Sequence, residues 1–143
     1  MKKLIAIIMV LCMVLGFAAC SDSEEDLAEE KVVFLQYITE IKQCESEALD
    51  SYYEGSDNDS RAAHADTALK NLRSLKSTIE NKEWKTQKYQ DLEKKLLDSI
   101  SGLETGIKKL IEGYNSNDRT IFNEGRTIIK EYDNKLSDIE QSV

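Results

Sequence analysis

Proline is absent from all 143 residues of this chain, and only six residues are glycine. These two residue types interrupt helices and form tight turns more often than any others, so a chain that lacks one and has few of the other can build long helices. Charged residues make up 32% and aromatic residues 7%, which also favours helices over strands. The sequence therefore predicts an all-α protein.

Apolar residues recur at intervals of three, four or seven along four segments, which is the spacing of a buried stripe on a helix. The predicted helices span residues 24–53, 60–81, 86–114 and 118–141. The clearest stripe belongs to the last one, with Phe122, Gly125, Ile129, Tyr132, Leu136, Ile139 and Val143. The links are short, about four to seven residues, so we expect an up-down-up-down four-helix bundle made of two tandem helical hairpins.

The two hairpins share a weak internal repeat with an offset of 58 residues. It consists of Glu54, Gly55 and Arg61 in the first hairpin and Glu112, Gly113 and Arg119 in the second. An ancestral hairpin duplication would explain the repeat. Similar turn chemistry at the two positions explains it almost as well.

The first 20 residues differ from the rest of the chain. Lys2 and Lys3 precede an apolar run from Leu4 to Leu15, and small residues follow before Cys20. A short basic start, an apolar middle and small residues before a cut site are typical of a secretory signal peptide. The run is shorter than the roughly 20 apolar residues that a membrane-spanning helix needs. We therefore predict that residues 1–19 are a cleaved signal peptide.

Cys20 directly follows Ala18 and Ala19 and resembles the lipobox cysteine of bacterial lipoproteins, with Phe17 where that class usually has an aliphatic residue. The resemblance implies that the Cys20 thiol is acylated, for example with palmitate, and becomes part of the new N-terminus. It also implies a protein anchored to the bacterial cell envelope and facing outside the cytoplasm. The alternative is an ordinary signal peptide cut nearby, with Cys20 an incidental thiol.

Residues 20–26 form an acidic tether in this interpretation, and residues 27–143 form the helical bundle domain. Ser21 followed by an acidic cluster also resembles the surface-export signal of Bacteroidetes lipoproteins, which would place the protein on the cell surface. The same residues also suit a solvated spacer that caps the first helix, because Ser23 and Asp26 have capping-box spacing.

The charge of the chain is negative and unevenly distributed. The chain has 19 Lys and Arg against 27 Asp and Glu, a net charge of −8. Nucleic acid is excluded as a partner, since its binding depends on neutralising phosphates with basic residues. Residues 20–59 hold 13 acids against two lysines, whereas residues 60–95 hold nine bases against five acids. The acidic first helix would attract the basic second helix as an antiparallel neighbour, and it is also a candidate surface for a basic protein partner.

No residue pattern indicates catalysis, a metal or a cofactor. His64 is the only histidine, and Arg61 stands three residues before it, where a di-iron bundle would need glutamate. Cys44 is the only cysteine besides Cys12 and Cys20, and a nucleophilic pair would require it to meet His64. Asp57 begins a segment like a calcium loop, but Arg61 stands at the fifth-position ligand, Ala62 at the required glycine and Ala68 at the final glutamate. We therefore predict no enzyme activity and no cofactor, and leave open only weak calcium binding by this loop.

An up-down bundle would place candidate contact residues at its two ends. One end, the base, contains the start of the first helix, the 81–85 link and the C-terminal residues. If Cys20 is acylated, the base faces the bilayer, and the candidates for membrane contact are Lys82, Trp84, Lys85 and Lys88. The alternative is that Trp84 fills the lower part of the core.

The other end, the tip, contains the turns around residues 54–60 and 113–118. Exposed tyrosines beside carboxylates and amides are typical of contact surfaces. The candidates for partner binding are Tyr53, Asp57, Asp59, Tyr114 and Asn117. Tyr114 also fits the core stripe of its helix, so a buried role is the alternative for this residue.

Together these features predict a lipid-anchored, non-catalytic binding or structural module. Two alternatives stay open. One is a protective lipoprotein, of the immunity or phage-exclusion type, that binds a basic protein through its acidic first helix. The other is an envelope helper that responds to a solute or a metal, which a ligand-dependent rise in melting temperature would reveal.

Overall fold

The computed structural model of the protein describes residues 23–143, and the predicted signal peptide and Cys20 lie outside these residues. Four helices account for the described chain: α1 (Glu24–Glu54), α2 (Asn58–Glu80), α3 (Gln87–Ser116) and α4 (Arg119–Ser142). Consecutive helices pack against each other, and α1 also contacts α3 and α4. The predicted all-α four-helix bundle is confirmed. Residues 24–26 of the predicted tether belong to α1.

Polar side chains fix the starts of three helices. Ser23 accepts a hydrogen bond from the Asp26 backbone N–H and donates its hydroxyl to the Asp26 carboxylate, as the capping-box spacing predicts. The predicted start of the second helix at residue 60 implies Asp59 or Ser60 as its cap. This prediction is wrong, because Asp57 caps α2 and accepts from the Ser60 N–H. Ser60 completes the capping box from inside the helix, since its hydroxyl accepts from the Asp57 N–H.

The fourth start differs from the other three. Thr86 occupies the cap position of α3, but its hydroxyl makes no capping hydrogen bond within the helix. It donates instead to the carboxylate of Glu30 on α1, which also accepts the backbone N–H groups of Lys85 and Thr86. A side chain of one helix thus satisfies the first free N–H groups of another, and this joins α1 to the start of α3.

Glycines allow α3 and α4 to approach backbone to backbone. A Cβ atom on Gly106 would lie 2.6 Å from Ile129 Cγ1, and one on Gly125 would lie 2.8 Å from the Gly106 carbonyl oxygen. A Cβ atom on Gly113 would lie 2.6 Å from the Phe122 backbone nitrogen. The glycines of α3 thus pack closely against α4, and α3 and α4 share the most extensive contact of the bundle.

The two turns of the weak internal repeat have different structures. Gly55 follows the last residue of α1 and caps it, whereas Gly113 lies inside α3. The second turn is made by Asn117, whose φ of 53° lies in the left-handed region that asparagine tolerates better than most residues. The matched residues therefore occupy different structural positions, which favours similar turn chemistry over duplication.

Candidate functional site

The side chains of the base are occupied by contacts within the protein. The Trp84 ring is 6% exposed and packs against Phe34, Tyr37 and Tyr89, with ring centroids 5.5, 6.2 and 5.6 Å away. The Trp84 ring therefore belongs to the core, which is the alternative that the sequence left open for it. Lys82, Lys85 and Lys88 are the remaining candidates for membrane contact at this end. The ammonium group of Lys82 lies 5.4 Å from the centre of the Trp84 ring.

Lys85 and Lys88 also have partners in the protein. The Lys85 ammonium lies 2.6 Å from the Asp26 carboxylate and 3.4 Å from that of Glu29, and these hydrogen bonds raise the pKa of Lys85. The bond from Lys85, followed by the one from Ser23, lowers the pKa of Asp26. Lys88 donates to the Val143 carbonyl oxygen at 3.0 Å. Membrane contact by the base stays a prediction for Lys82, Lys85 and Lys88.

The tip contains a cleft of about 470 Å³ between the end of α1, the start of α2, the end of α3 and the start of α4. We call it the tip cleft, and its volume is in the range of small-ligand pockets. The Asn58 amide donates to the Asn117 side-chain oxygen at 3.0 Å and so joins the two turns that form this end of the bundle. Both turns must keep this register for the cleft to exist.

Aromatic rings form one wall and the floor of the tip cleft. The rings of Tyr114 and Phe122 lie 5.1 Å apart, and Tyr52 lies 5.9 Å from Phe122. Tyr53, which is 82% exposed, stands edge-on to Tyr52 at 5.2 Å. The Tyr114 hydroxyl lies within hydrogen-bond distance, 3.1 Å, of the buried Ser51 hydroxyl. The cleft thus combines fixed rings with one freely exposed tyrosine at its rim.

Three arginines line the tip cleft: Arg61, Arg119 and Arg126. Arg61 stacks over the Tyr52 ring, 4.8 Å from its centre, and donates to the carbonyl oxygen of Gly55 at 3.2 Å. Arg119 and Arg126 lie seven residues apart on α4, which puts them on one face about two turns apart. Within residues 23–143 neither of these two guanidinium groups has a hydrogen bond or an ion pair.

The pKa of Tyr114, on the floor of the tip cleft, reflects the positions of two of these arginines. Burial raises the pKa of Tyr114, whereas the hydrogen bond with Ser51 and the positive charges of Arg61 and Arg126 act to lower it. Two guanidinium groups therefore influence the same phenol. The two carboxylates in the lining are already in use, because Asp118 caps α4 through the Thr120 N–H and Asp50 accepts from Ser46.

The partner-binding candidates from the sequence are only partly brought together. Tyr53 and Asn117 line the tip cleft with exposed side chains, and Tyr114 forms its floor but is only 5% exposed, so its ring belongs to the core. Asp57 and Asp59 lie on the outer side of the α2 start, away from the lining. The Asp57 carboxylate caps α2, and the hydrogen bonds from Ser60 lower its pKa.

Sequence reasoning missed the arginines as site residues. Part of the signal was present, because two of the chain's four arginines, Arg61 and Arg119, come just after the two turns of the tip, whereas Arg126, the third arginine of the cleft, lies seven residues further along α4. The fourth, Arg73, lies on α2 outside the cleft and pairs with Glu104 at 3.4 Å. All the lysines are also outside the lining, so the basic side of the cleft consists of arginine alone.

A second groove adjoins the tip cleft between α1 and α4 and shares Leu49, Asn123 and Arg126 with it. Glu45 lines this groove, is 9% exposed, and has one carboxylate oxygen without a hydrogen-bond partner among the described residues. Loss of solvation, and then the nearby charge of Asp133, raises the pKa of Glu45 to about 7. Sequence reasoning missed this residue too.

Cys44 and His64, the two residues of the possible nucleophilic pair, make no hydrogen bond or ion pair with each other within residues 23–143. Cys44 is buried and free, and burial raises the pKa of its thiol, which disfavours the reactive thiolate. His64 is exposed and lies 3.6 Å from the Glu54 carboxylate. Across residues 23–143, no three His, Cys, Asp or Glu side chains are grouped as ligands for a metal ion. Over the same residues, no helix combines the length and apolar character needed to cross a bilayer.

Comparisons with protein-family models, with curated proteins and with solved structures found no match for this chain. The function of the protein is therefore inferred from its own residues.

Proposed function

We propose that this protein is a lipid-anchored, non-catalytic binding module of the bacterial cell envelope, facing outside the cytoplasm and attached to its membrane through Cys20. The support for the anchor is the sequence of residues 1–20. The support for binding is the tip cleft, whose arginines, tyrosine rim and asparagine side chains have the composition of contact surfaces.

One observation carries the proposal: the tip cleft and the start of the described chain lie at opposite ends of α1. This helix has 31 residues, which corresponds to a length of about 46 Å at 1.5 Å per residue. A lipid at Cys20, three residues before Ser23, would hold the base near the membrane. The tip cleft would then point away from the bilayer, where a partner can reach it.

Metabolic labelling with palmitate tests the anchor. We expect the wild-type protein and a Cys44→Ser variant to carry the label, and a Cys20→Ser variant to lose it and keep residues 1–19. Cys44→Ser is the matched control, since it removes the only other cysteine that remains after cleavage at residue 19. Unlabelled wild-type protein, or label that depends on Cys44, would contradict the anchor.

A weak second contact of the base with an anionic membrane surface belongs to the same proposal. Each lysine near such a surface contributes about 1 kcal/mol. In the unlipidated chain expressed from residue 21, without the signal peptide and Cys20, we expect Lys82→Ala and Lys88→Ala together to reduce sedimentation with anionic vesicles. Lys130→Ala, on α4, serves as the control, and equal sedimentation of all variants would contradict this contact.

A further inference from the structure

We infer that the tip cleft binds an acidic peptide segment of a partner protein, with carboxylates paired to Arg119 and Arg126 and an apolar side chain against Tyr52 and Tyr53. This inference rests on the proposed function as a binding module and adds the chemical class of the partner. It differs from the sequence-based alternative of a basic partner, which would use the acidic surface of α1.

Arg119 and Arg126 have unused hydrogen-bonding capacity in the tip cleft. A guanidinium group has five N–H donors in a planar fork that fits a carboxylate or a phosphate through two parallel bonds. Arg61 uses its donors on Gly55 and Asn58 and holds its position over the Tyr52 ring. Arg119 and Arg126 make no such bonds within the described chain, so their forks are free for an outside acceptor.

The location of these charges also indicates an acidic partner. The protein as a whole is strongly acidic, with a net charge of −8, yet three of its four arginines converge on one cleft. Arginine clusters are a recurring means of recognising acidic or phosphorylated segments. A partner that carried positive charge would be repelled here and attracted elsewhere on the surface.

Other groups of the cleft distinguish a peptide from a simple anion. The lining also holds the side chains of Asn117 and Asn123, whose amide N–H groups can donate to peptide carbonyl oxygens. A peptide offers carboxylates, backbone N–H and C=O groups and an apolar side chain together. Inorganic phosphate has no apolar group, and it would leave the exposed Tyr53 ring without a contact.

The test is a titration of the ¹⁵N-labelled, detergent-solubilised protein, followed by NMR. One probe is a six-residue peptide of alternating glutamate and phenylalanine with blocked ends, and its control replaces each glutamate by glutamine. We expect the glutamate peptide to shift the amide signals of Gly113, Asn117 and Asn123 and to bind at least tenfold more tightly than the glutamine peptide. Equal affinity for both peptides would overturn the inference.

Arginine variants assign the binding to the cleft. Arg119→Gln combined with Arg126→Gln should weaken binding of the glutamate peptide at least tenfold and leave binding of the glutamine peptide unchanged. Arg73→Gln is the matched control, because Arg73 is the one arginine outside the cleft. An equal loss in the Arg73 variant, or no loss in the double variant, would show that general charge and not the cleft determines the binding.

Inorganic phosphate forms the third arm of the titration. If phosphate moves the same signals at the same or lower concentration than the peptide, the cleft is a small-oxyanion site and the peptide assignment is wrong. The outcome is independent of the anchor. Failure of palmitate labelling leaves the titration interpretable, and absence of peptide binding leaves the acylation of Cys20 unaffected.

Discussion

Two buried glutamates on α1 have opposite environments, one at the base and one towards the tip. Glu30 is 4% exposed, and its carboxylate accepts three hydrogen bonds from Lys85 and Thr86. Glu45 is 9% exposed, and one of its oxygens lacks a partner among the described residues. A buried carboxylate stabilises a fold only when its hydrogen bonds are satisfied, so the first supports the base and the second weakens the tip half.

The comparison shows how differently the two ends use polar groups. At the base, carboxylates, ammonium groups and backbone N–H groups pair with one another. Towards the tip, one carboxylate oxygen of Glu45 has no hydrogen-bond partner among the described residues. The guanidinium groups of Arg119 and Arg126 also form no hydrogen bonds within that part of the chain. Polar groups left unused inside a stable bundle are typical of regions kept for binding, where stability is lower than the fold could reach. Four experiments test this contrast.

The largest effect is expected from Trp84→Ala at the base. Removing a buried aromatic ring from a packed cluster should lower the free energy of unfolding by about 4 kcal/mol, measured by urea denaturation with circular dichroism. Trp84→Phe should cost less than about 1.5 kcal/mol, since the smaller ring fills much of the space and the buried indole N–H has no hydrogen-bond partner within residues 23–143. A small loss in the alanine variant would mean that the ring is not part of the core.

Glu30→Ala should lower the free energy of unfolding by about 3 kcal/mol, because it leaves the N–H groups of Lys85 and Thr86 and the Thr86 hydroxyl without their acceptor. The measurement is again urea denaturation. Glu29→Ala is the matched control on the same helix, since Glu29 is exposed and contacts only Lys85, and no measurable change is expected. Similar losses in both variants would mean that the buried network contributes nothing specific.

Glu45→Gln should stabilise the protein, and the gain should depend on pH. Burial raises the pKa of Glu45 to about 7 in the folded protein, above its ordinary value of 4.5, so the folded state holds the proton more tightly than the unfolded state. The free energy of unfolding therefore decreases as pH rises from about 4.5 through 7. We expect the variant to match wild type at pH 5 and to exceed it by about 2 kcal/mol at pH 8.

Asp133→Asn provides the internal check on this pH dependence. The Asp133 charge is the second cause of the raised pKa of Glu45, after loss of solvation, so its removal should move the transition to lower pH without abolishing it. A Glu45→Gln variant with the same stability difference at pH 5 and pH 8 would contradict the assignment of the transition to Glu45.

The smallest effect is expected from Tyr114→Phe at the floor of the tip cleft. It removes the hydroxyl that bonds Ser51 and should lower the free energy of unfolding by about 1 kcal/mol. Tyr53→Phe is the control, since the Tyr53 side chain is exposed at the rim and its change should be undetectable in the same urea measurement. A greater loss in the Tyr53 variant would reverse the roles assigned to the two tyrosines.

Sequence reasoning found the helices because their signals are local. Apolar spacing located α1 to α4 within a few residues. Glu30 and Glu45 also occupy core-stripe spacing, three residues after Leu27 and four after Ile41 respectively. Spacing alone could not tell that one is satisfied and the other is not, because the donors to Glu30 lie 55 and 56 residues away.

The tip cleft was harder to predict for a similar reason. Its arginines come from two turns, and whether they converge depends on the register in which the hairpins pack. The sequence-based candidates were tyrosines and carboxylates that lie close together in sequence. In the structure, Asp57 caps a helix and the ring of Tyr114 belongs to the core. Arg126 lies two turns into α4, too far from either turn for a local pattern to reveal it.

The glycine contacts between α3 and α4 determine which part of the molecule can adapt to a ligand. Helices that meet through backbone atoms cannot move closer, and an added methyl group at Gly106 or Gly125 would force them apart. Arg119, Arg126 and Tyr114 are therefore presented on an essentially rigid frame. Any adjustment of the cleft to partners of different size has to come from the opposite wall, through movement of the α1–α2 hairpin.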